Sequence, residues 1–420
     1  LASDMRVAIT GLGAVTPLGL DMASTWEALL QGRSGVGPIS LFNASTFPVR
    51  IAAEVKGFSL ADHLRDRRLT RLLNRGAQFG VAAVLMAMAD AGLRRGDIDP
   101  TRLGVCLATG PGRLQMDEVA EAGRLRNAER GAGYLRLDPF RVLQHSYLAG
   151  PSVVAQLLDA RGPNLSVHMA SASSAHCLGL AQRVIKDGDA MVMIAGGFDS
   201  AIAPGDVIGL ARGGLLSTRN NEPTRASRPF DRERDGFVLG EGGVVVVLEE
   251  LAHAQARGAR IYAELAGYGA TLSAYRIADA PPDGKAYAQT MTSALTDGGL
   301  EPEDVDYIHA YANSTKDVDR REVLAIKDAF GEHAYRVPVS STKSMTGHLT
   351  LASGAAGLAF ATLALRDGIL PPTINYETPD PNCDLDCVPN HARQWDVKVA
   401  VSNAFGLGGT NASLVVRKVE

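Results

Sequence analysis

Ala87-Met-Ala-Asp90-Ala-Gly92-Leu93-Arg-Arg-Gly-Asp97-Ile98-Asp99 is answered half a chain later by Ala294-Leu-Thr-Asp297-Gly-Gly299-Leu300-Glu-Pro-Glu-Asp304-Val305-Asp306, with the same spacing throughout. Each copy reads as the end of a helix closed by glycine, a short acidic loop and then an apolar strand, at residues 103–109 in the first case and 307–311 in the second. A repeat of this length predicts two similarly folded halves. Further apolar strands read at 6–10, 190–195, 243–248, 260–267 and 397–401, with helical stretches between many of them. Strands with so little polar alternation belong to sheets covered on both faces. The expected architecture is a layered α/β protein, its halves spanning 5–255 and 256–420 and meeting near the alanine-rich helix 251–258.

With 420 residues, 46% of them apolar and 21% charged, the chain has ample material for a large core, and disorder is excluded. A formal charge of −4 argues against nucleic acid as a partner, while leaving room for a local basic patch. No apolar run approaches the roughly 18 residues that span a bilayer. No basic-then-apolar leader opens the sequence, so a soluble, cytoplasmic protein is expected. Leu1, Ala2, Ser3 and Asp4, ahead of Met5, read as an expression remnant and enter no fold reasoning. Cys106, Cys177, Cys383 and Cys387 are too few for a disulfide framework. The Cys-x3-Cys pair lacks two further ligands nearby, so ordinary thiols and no metal are expected. Gly11-Leu-Gly13 follows a strand, but Thr16 stands where a dinucleotide fingerprint needs its third glycine, and no phosphate-binding Gly-Lys-Ser/Thr occurs.

Three stretches carry possible chemistry. Ser166-Val-His-Met-Ala-Ser171-Ala-Ser-Ser-Ala-His176-Cys177-Leu-Gly179 reads as a strand, a sharp turn and a helix to about Lys186. The N–H groups and dipole of a helix start favour a thiolate or oxyanion there, although Ala and Ser before a helix also serve as plain caps. Ser340-Ser-Thr-Lys343-Ser-Met-Thr-Gly347-His348 precedes a small-residue helix at 349–365. Its imidazole can donate to a thioester carbonyl, with Lys343 orienting it or holding a carboxylate, or it can cap the helix. Val401-Ser-Asn403-Ala-Phe405-Gly406-Leu-Gly408-Gly409-Thr410-Asn411 can aim a backbone N–H at an oxyanion and let Phe405 gate a pocket, or form only a tight turn.

Taken together with Ser217-Thr218-Arg219, the run from Ser227-Arg-Pro-Phe-Asp231 through Gly240-Glu241-Gly242, and Pro371-Pro-Thr-Ile-Asn375 with Cys383-Asp384-Leu-Asp386, these motifs resemble the β-ketoacyl-acyl-carrier-protein synthase II family over residues 6–418. The resemblance implies a thiolase-like fold, a duplicated five-layer αβαβα domain that dimerises. It also implies an acyl-thioester site served by acyl carrier protein, with no cofactor beyond the phosphopantetheine that carries the substrate, in fatty-acid or type II polyketide synthesis.

The sequence departs from that family where the chemistry is done. The cysteine nucleophile aligns with Ser171. The first of two histidines, in a His-Gly-Thr-x-Thr motif followed by Asp and Glu, corresponds to Tyr311-Ala312-Asn313-Ser314-Thr315 with Asp319 and Glu322. His348 matches the second histidine and Lys343 the family lysine. Asn313 and Thr315 fall where the pantetheine arm is held, and the N–H groups of Ser171 and Phe405 would form the oxyanion hole. Pro111, within the segment 110–116, would border the acyl channel and dimer seam. His309, two residues before Tyr311 on a strand, should point to the same side or be displaced. A serine hydroxyl is far harder to ionise than a thiol, and tyrosine is a poor base at neutral pH, so decarboxylative condensation should be impaired. The leading expectation is a chain-length-factor (KSβ) subunit that shapes the acyl channel of a heterodimer with a ketosynthase α subunit. The alternatives are a ketosynthase-like acyltransferase using Ser171 with His348, or an elongating enzyme carrying an engineered Cys-to-Ser change; a homodimer is the other assembly left open. Arg67, Arg68 and Arg71, with Arg65 and with Arg212 near Ser217, form a candidate docking surface for acidic carrier protein, or a solvated helix face.

Overall fold

The computed structural model describes residues 5–113, 120, 123–124, 140–277 and 279–419. Ten strands form its central sheet: β1 (Val7–Val15), β2 (Leu103–Thr109), β3 (Asn164–Ser166), β4 (Val192–Asp199), β5 (Gly242–Glu250), β6 (Ala263–Leu272), β7 (Tyr307–His309), β8 (Val339–Ser340), β9 (Val399–Phe405) and β10 (Thr410–Arg417). Their order is β8-β7-β9-β10-β6-β1-β5-β4-β2-β3. Each half contributes five strands in one chain order and one lateral order, and the halves join through the antiparallel pairs Ala8–Glu264 and Ile9–Ala263. Within each half the three outer strands run parallel and the inner ones antiparallel.

Helices cover both faces. Helices α1 (Arg75–Asp90) and α2 (Ala149–Leu158) pack outside the first half, whereas α5 (Lys285–Gly298) and α6 (Lys316–Phe330) pack outside the second. Helices α3 (Ser173–Lys186) and α7 (Ser353–Asp367) touch each other and strands of both halves, forming the middle layer. Every residue of α7 from Ser353 to Leu365 is buried, as its composition of Gly, Ala, Leu and Phe requires of a helix with no solvent face. The arrangement is the five-layer αβαβα fold implied by the resemblance.

The repeated motif does the same work in both halves. Asp90 accepts the Leu12 N–H of β1 at 2.9 Å, and Asp297 accepts the Tyr268 N–H of β6 at 3.0 Å. Each carboxylate thus ties an outer helix to the first strand of its half. Gly11 and Gly13 serve the same contact. A Cβ at Gly13 would lie 2.0 Å from the Ala83 carbonyl, and one at Gly269 would lie 2.1 Å from that of Thr290. The Gly-x-Gly pairs are helix-on-strand packing devices, which accounts for the missing third glycine.

Gly13→Ala drives a methyl into helix backbone that cannot yield, so it should cost about 3 kcal/mol or more of stability. Gly205→Ala, in the exposed first turn of α4 (Pro204–Arg212), meets nothing within 4 Å and should be neutral or stabilising. Urea unfolding of the two variants checks the contrast.

Candidate active site

The site forms where the N-termini of α3 and α7 meet. A Cβ at Gly354 would lie 2.6 Å from the Ala175 amide nitrogen, and the Ala355 N–H donates to Ser174 Oγ at 2.9 Å. This contact sets Ser171, on the turn before α3, against His348, on the turn before α7. Ala170 takes the left-handed conformation, φ 47°, to sharpen the elbow. The elbow is latched by Met169 N–H donating to Ser173 Oγ at 2.7 Å and by Thr410 Oγ1 donating to the Met169 carbonyl at 2.9 Å. The second latch brings the glycine-rich turn after Phe405 beside the nucleophile position.

Ser171 Oγ lies 2.8 Å from His348 Nε2. The same nitrogen is 3.2 Å from the Tyr311 hydroxyl, and His348 Nδ1 is 2.9 Å from Ser353 Oγ. The His348 backbone pairs with residues 238–240, and the Phe237 ring meets its imidazole edge-on at 5.1 Å. Phe405 is stacked at 3.7 Å on Tyr287 and faces the Tyr311 ring at 5.8 Å. Ser171, Tyr311, Asn313, Thr315, His348 and Phe405 line one cavity of about 820 Å³.

The loop carrying Tyr311 is held by two buried carboxylates of α6. Glu322 accepts the N–H groups of Tyr311 and Ala312 at 2.9 and 2.6 Å. Asp319 accepts those of Ser314 and Phe230 at 3.1 and 2.9 Å, both residues in the left-handed region. The Asp and Glu downstream of Tyr311 are therefore loop-shaping groups. Lys343 lies behind Tyr311, its Nζ 4.7 Å from the ring and 3.5 Å from the Ala310 carbonyl, and is not among the cavity's lining residues.

Burial controls the protonation states. It pushes Tyr311 up to about 12, so this phenol is a hydrogen-bond donor and no base. Lys343 is lowered to about 8 by burial, partly offset by Glu322 and Asp319. His348 is lowered to about 3 by burial and by the Lys343 charge, so its imidazole is neutral at physiological pH.

Of the two placements open to His309 the structure takes the second: it is displaced into the core, where Nε2 lies 3.0 Å from Thr342 Oγ1 and the ring packs near Phe360. Pro111 stands beside the cavity wall. Its carbonyl accepts from Arg113 at 2.6 Å, and Arg113 forms the wall with Asp199 and Asp206. Residues 114–116 of that segment lie outside the described residues. Arg67, Arg68, Arg71 and Arg212 are exposed, with Arg68 paired to Asp66 and Arg71 over the Phe140 ring. Tyr287, Ser353, Phe237 and the Arg113 wall escaped the sequence reading, since only the fold brings them to Ser171. Ser353, five residues after His348 at the start of its helix, was the one with a local signal.

The buried imidazole has a consequence for stability. Between pH 6.5 and about 3 the unfolded chain protonates His348 while the folded chain does not, so stability falls as pH drops through this window. One such group contributes a slope of about 1.4 kcal/mol for each pH unit. His348→Gln should flatten the dependence of the urea midpoint between pH 6.5 and 4.5 relative to the unchanged protein.

Residues 4–254 match the beta-ketoacyl synthase N-terminal domain and residues 262–377 its C-terminal domain. The 3-oxoacyl-[acyl-carrier-protein] synthase 2 of Coxiella burnetii is 44% identical over 414 residues, covering 99% of both chains. That of Synechocystis is 42% identical, covering 99% of this chain and 98% of its own. Among solved structures, the ishigamide ketosynthase/chain length factor superposes with a TM-score of 0.89 at 32% identity, covering 99% of this chain and all of that one. A type II polyketide-synthase acyl-carrier protein in complex with its ketosynthase gives 0.87 at 33%, with the same coverage. Both domains match, and the relatives run the length of the chain: the protein belongs to the beta-ketoacyl synthase family.

Proposed function

We propose that the chain is a ketosynthase-family acyltransferase in which Ser171 accepts an acyl group from a carrier-bound thioester with His348 as its base, and in which decarboxylative condensation is strongly reduced. The observation that carries this reading is the 2.8 Å contact between Ser171 Oγ and His348 Nε2 inside a substrate-sized cavity. In the forward step Ser171 Oγ bonds to the thioester carbonyl carbon and its proton passes to Nε2. The oxyanion is received by the N–H groups of Ser171 and Phe405, the C–S bond breaks, and the departing thiolate takes the proton back from His348. Water or another nucleophile then reverses the sequence. A base lowered to about 3 gives little driving force, so acylation should be slow beside that of a cysteine enzyme.

Malonate decarboxylation is disfavoured because one imidazole is now asked to serve both the nucleophile and the enolate. Tyr311 adds a donor and no second base. The names of the curated relatives, each a 3-oxoacyl-[acyl-carrier-protein] synthase 2, favour a catalytic role over the chain-length-factor one. Tyr311 and the charged Arg113 wall remain the features that favour a channel-shaping role. Asn313 and Thr315 line the cavity where a pantetheine arm would run. The exposed edge strand β3, with Leu165, Met169, Tyr147 and Leu148 exposed nearby, supports a dimer through that edge, either with a second copy or with a ketosynthase partner.

Hexanoyl-carrier protein and the hexanoyl thioester of N-acetylcysteamine should each add one acyl mass to the protein, and Ser171→Ala should abolish both additions. Malonyl-carrier protein should then yield no elongated product. Elongation by the protein alone, or no adduct over hours, would contradict the reading. With Arg67→Glu and Arg68→Glu combined, carrier-delivered acylation should fall at low salt while acylation by the small thioester is unchanged. Equal loss with both donors would remove those arginines from the docking surface.

A further inference from the structure

Ser353 is buried, stands at the first position of α7 and places its hydroxyl 2.9 Å from His348 Nδ1. The imidazole therefore lies between two serine oxygens, with Ser171 on Nε2 and Ser353 on Nδ1. Its direction of proton donation follows from a chain of hydrogen bonds that begins at a backbone group. The Thr315 N–H and hydroxyl both donate to Asn313 Oδ1, at 3.2 and 2.8 Å. With Oδ1 occupied, the Asn313 amide turns its Nδ2 toward the Tyr311 hydroxyl, at 3.5 Å. Tyr311 oxygen thus receives a proton from one side and turns its own toward Ser171, with which it also hydrogen-bonds, and toward His348 Nε2 at 3.2 Å. Ser171, as the nucleophile, then directs its hydroxyl proton at the same nitrogen. Two incoming O–H groups call for a bare lone pair at Nε2. The proton of the neutral ring then sits on Nδ1 and points at Ser353 Oγ.

We infer that Ser171, His348 and Ser353 form a hydroxyl–imidazole–hydroxyl triad in which Ser353 is the positioning residue, holding His348 in the Nδ1-protonated tautomer with its lone pair on Ser171. The inference rests on Ser171 being the nucleophile, and it assigns the orienting place that a carboxylate fills in serine hydrolases. When His348 takes the Ser171 proton, Ser353 Oγ accepts from the imidazolium as it did from the neutral ring, so no reorganisation accompanies the transfer. A neutral hydroxyl stabilises that cation less than a carboxylate does, in keeping with a slow acyl transfer. Tyr311 competes with Ser171 for the one lone pair, so Tyr311→Phe should raise the acylation rate.

The test reads tautomer and rate separately. In protein labelled with ¹⁵N-histidine, the His348 resonances, assigned by their loss in His348→Gln, should show Nδ1 protonated and Nε2 bare, and Ser353→Ala should shift the ring toward the Nε2-protonated form. Ser353→Ala should slow saturating acylation by hexanoyl-N-acetylcysteamine about tenfold or more, a part of the 10²–10⁴ a positioned base supplies, with the half-saturating concentration unchanged. Ser353→Thr, which keeps the hydroxyl, should restore it. An Nε2-protonated ring in the unchanged protein, or full acylation by Ser353→Ala, would overturn the triad even where Ser171 acylates. The expected tautomer, shifted in Ser353→Ala but without any Ser171 adduct, would uphold the role of Ser353 in orienting the ring and defeat Ser171 as nucleophile; an Nδ1-protonated ring kept in Ser353→Ala would remove Ser353 from that role.

Discussion

The close approach of α3 to α7 is the constraint on which the rest of the molecule depends. At Gly354 there is no room for a side chain, because the Ala175 backbone nitrogen occupies the space a Cβ would need. Each helix is the central helix of its half, and the pseudo-symmetry that pairs β1 with β6 brings their N-termini together. Ser171 and His348, 177 residues apart in sequence, become hydrogen-bonded neighbours by that contact. The sheet, the outer helices and the repeated Asp90 and Asp297 ties fix the two halves so that it can form.

Burying a site this deeply has chemical consequences. Lys343, His348 and Tyr311 are each displaced toward their neutral forms, since a low-dielectric interior penalises charge. A site of neutral hydroxyls around a neutral imidazole suits a hydroxyl nucleophile, which needs a lone pair nearby more than a positive field. It suits decarboxylation poorly, for the one imidazole at the site is engaged with the nucleophile and Tyr311 supplies no second base. On the proposed reading, Ser171 in place of a thiol and Tyr311 in place of an imidazole change both requirements in the same direction.

The fold was largely legible because its signals are periodic and doubled. The repeat around Asp90 and Asp297 and the apolar strands announced two covered half-sheets, and the strands read at 103–109 and 307–311 open where β2 and β7 do. Strand β10 was missed, since Thr410-Asn-Ala-Ser413 opens it with polar residues that face buried hydrogen-bond partners such as Asn403. Of the site, Ser171, Tyr311, His348 and Phe405 were readable from motifs. Tyr287 was not, because its stacking on Phe405 joins segments more than 100 residues apart and leaves no local pattern. The Arg113 wall was unreadable for a related reason: proximity in sequence to Pro111 did not reveal that Arg113 folds back over the Pro111 carbonyl and takes the wall position.

On the proposed reading, this scaffold keeps its thioester chemistry and loses most of its condensation through the groups at positions 171 and 311. The most direct measurement is single-turnover release of ¹³CO₂ from carboxyl-labelled malonyl-carrier protein in the presence of acyl-carrier protein, comparing Ser171→Cys with Ser171→Cys/Tyr311→His. Rapid acylation but little CO₂ is expected from the single variant, and CO₂ with an elongated product from the double. Equal condensation by both would show that Tyr311 does not limit the reaction and would overturn that reading.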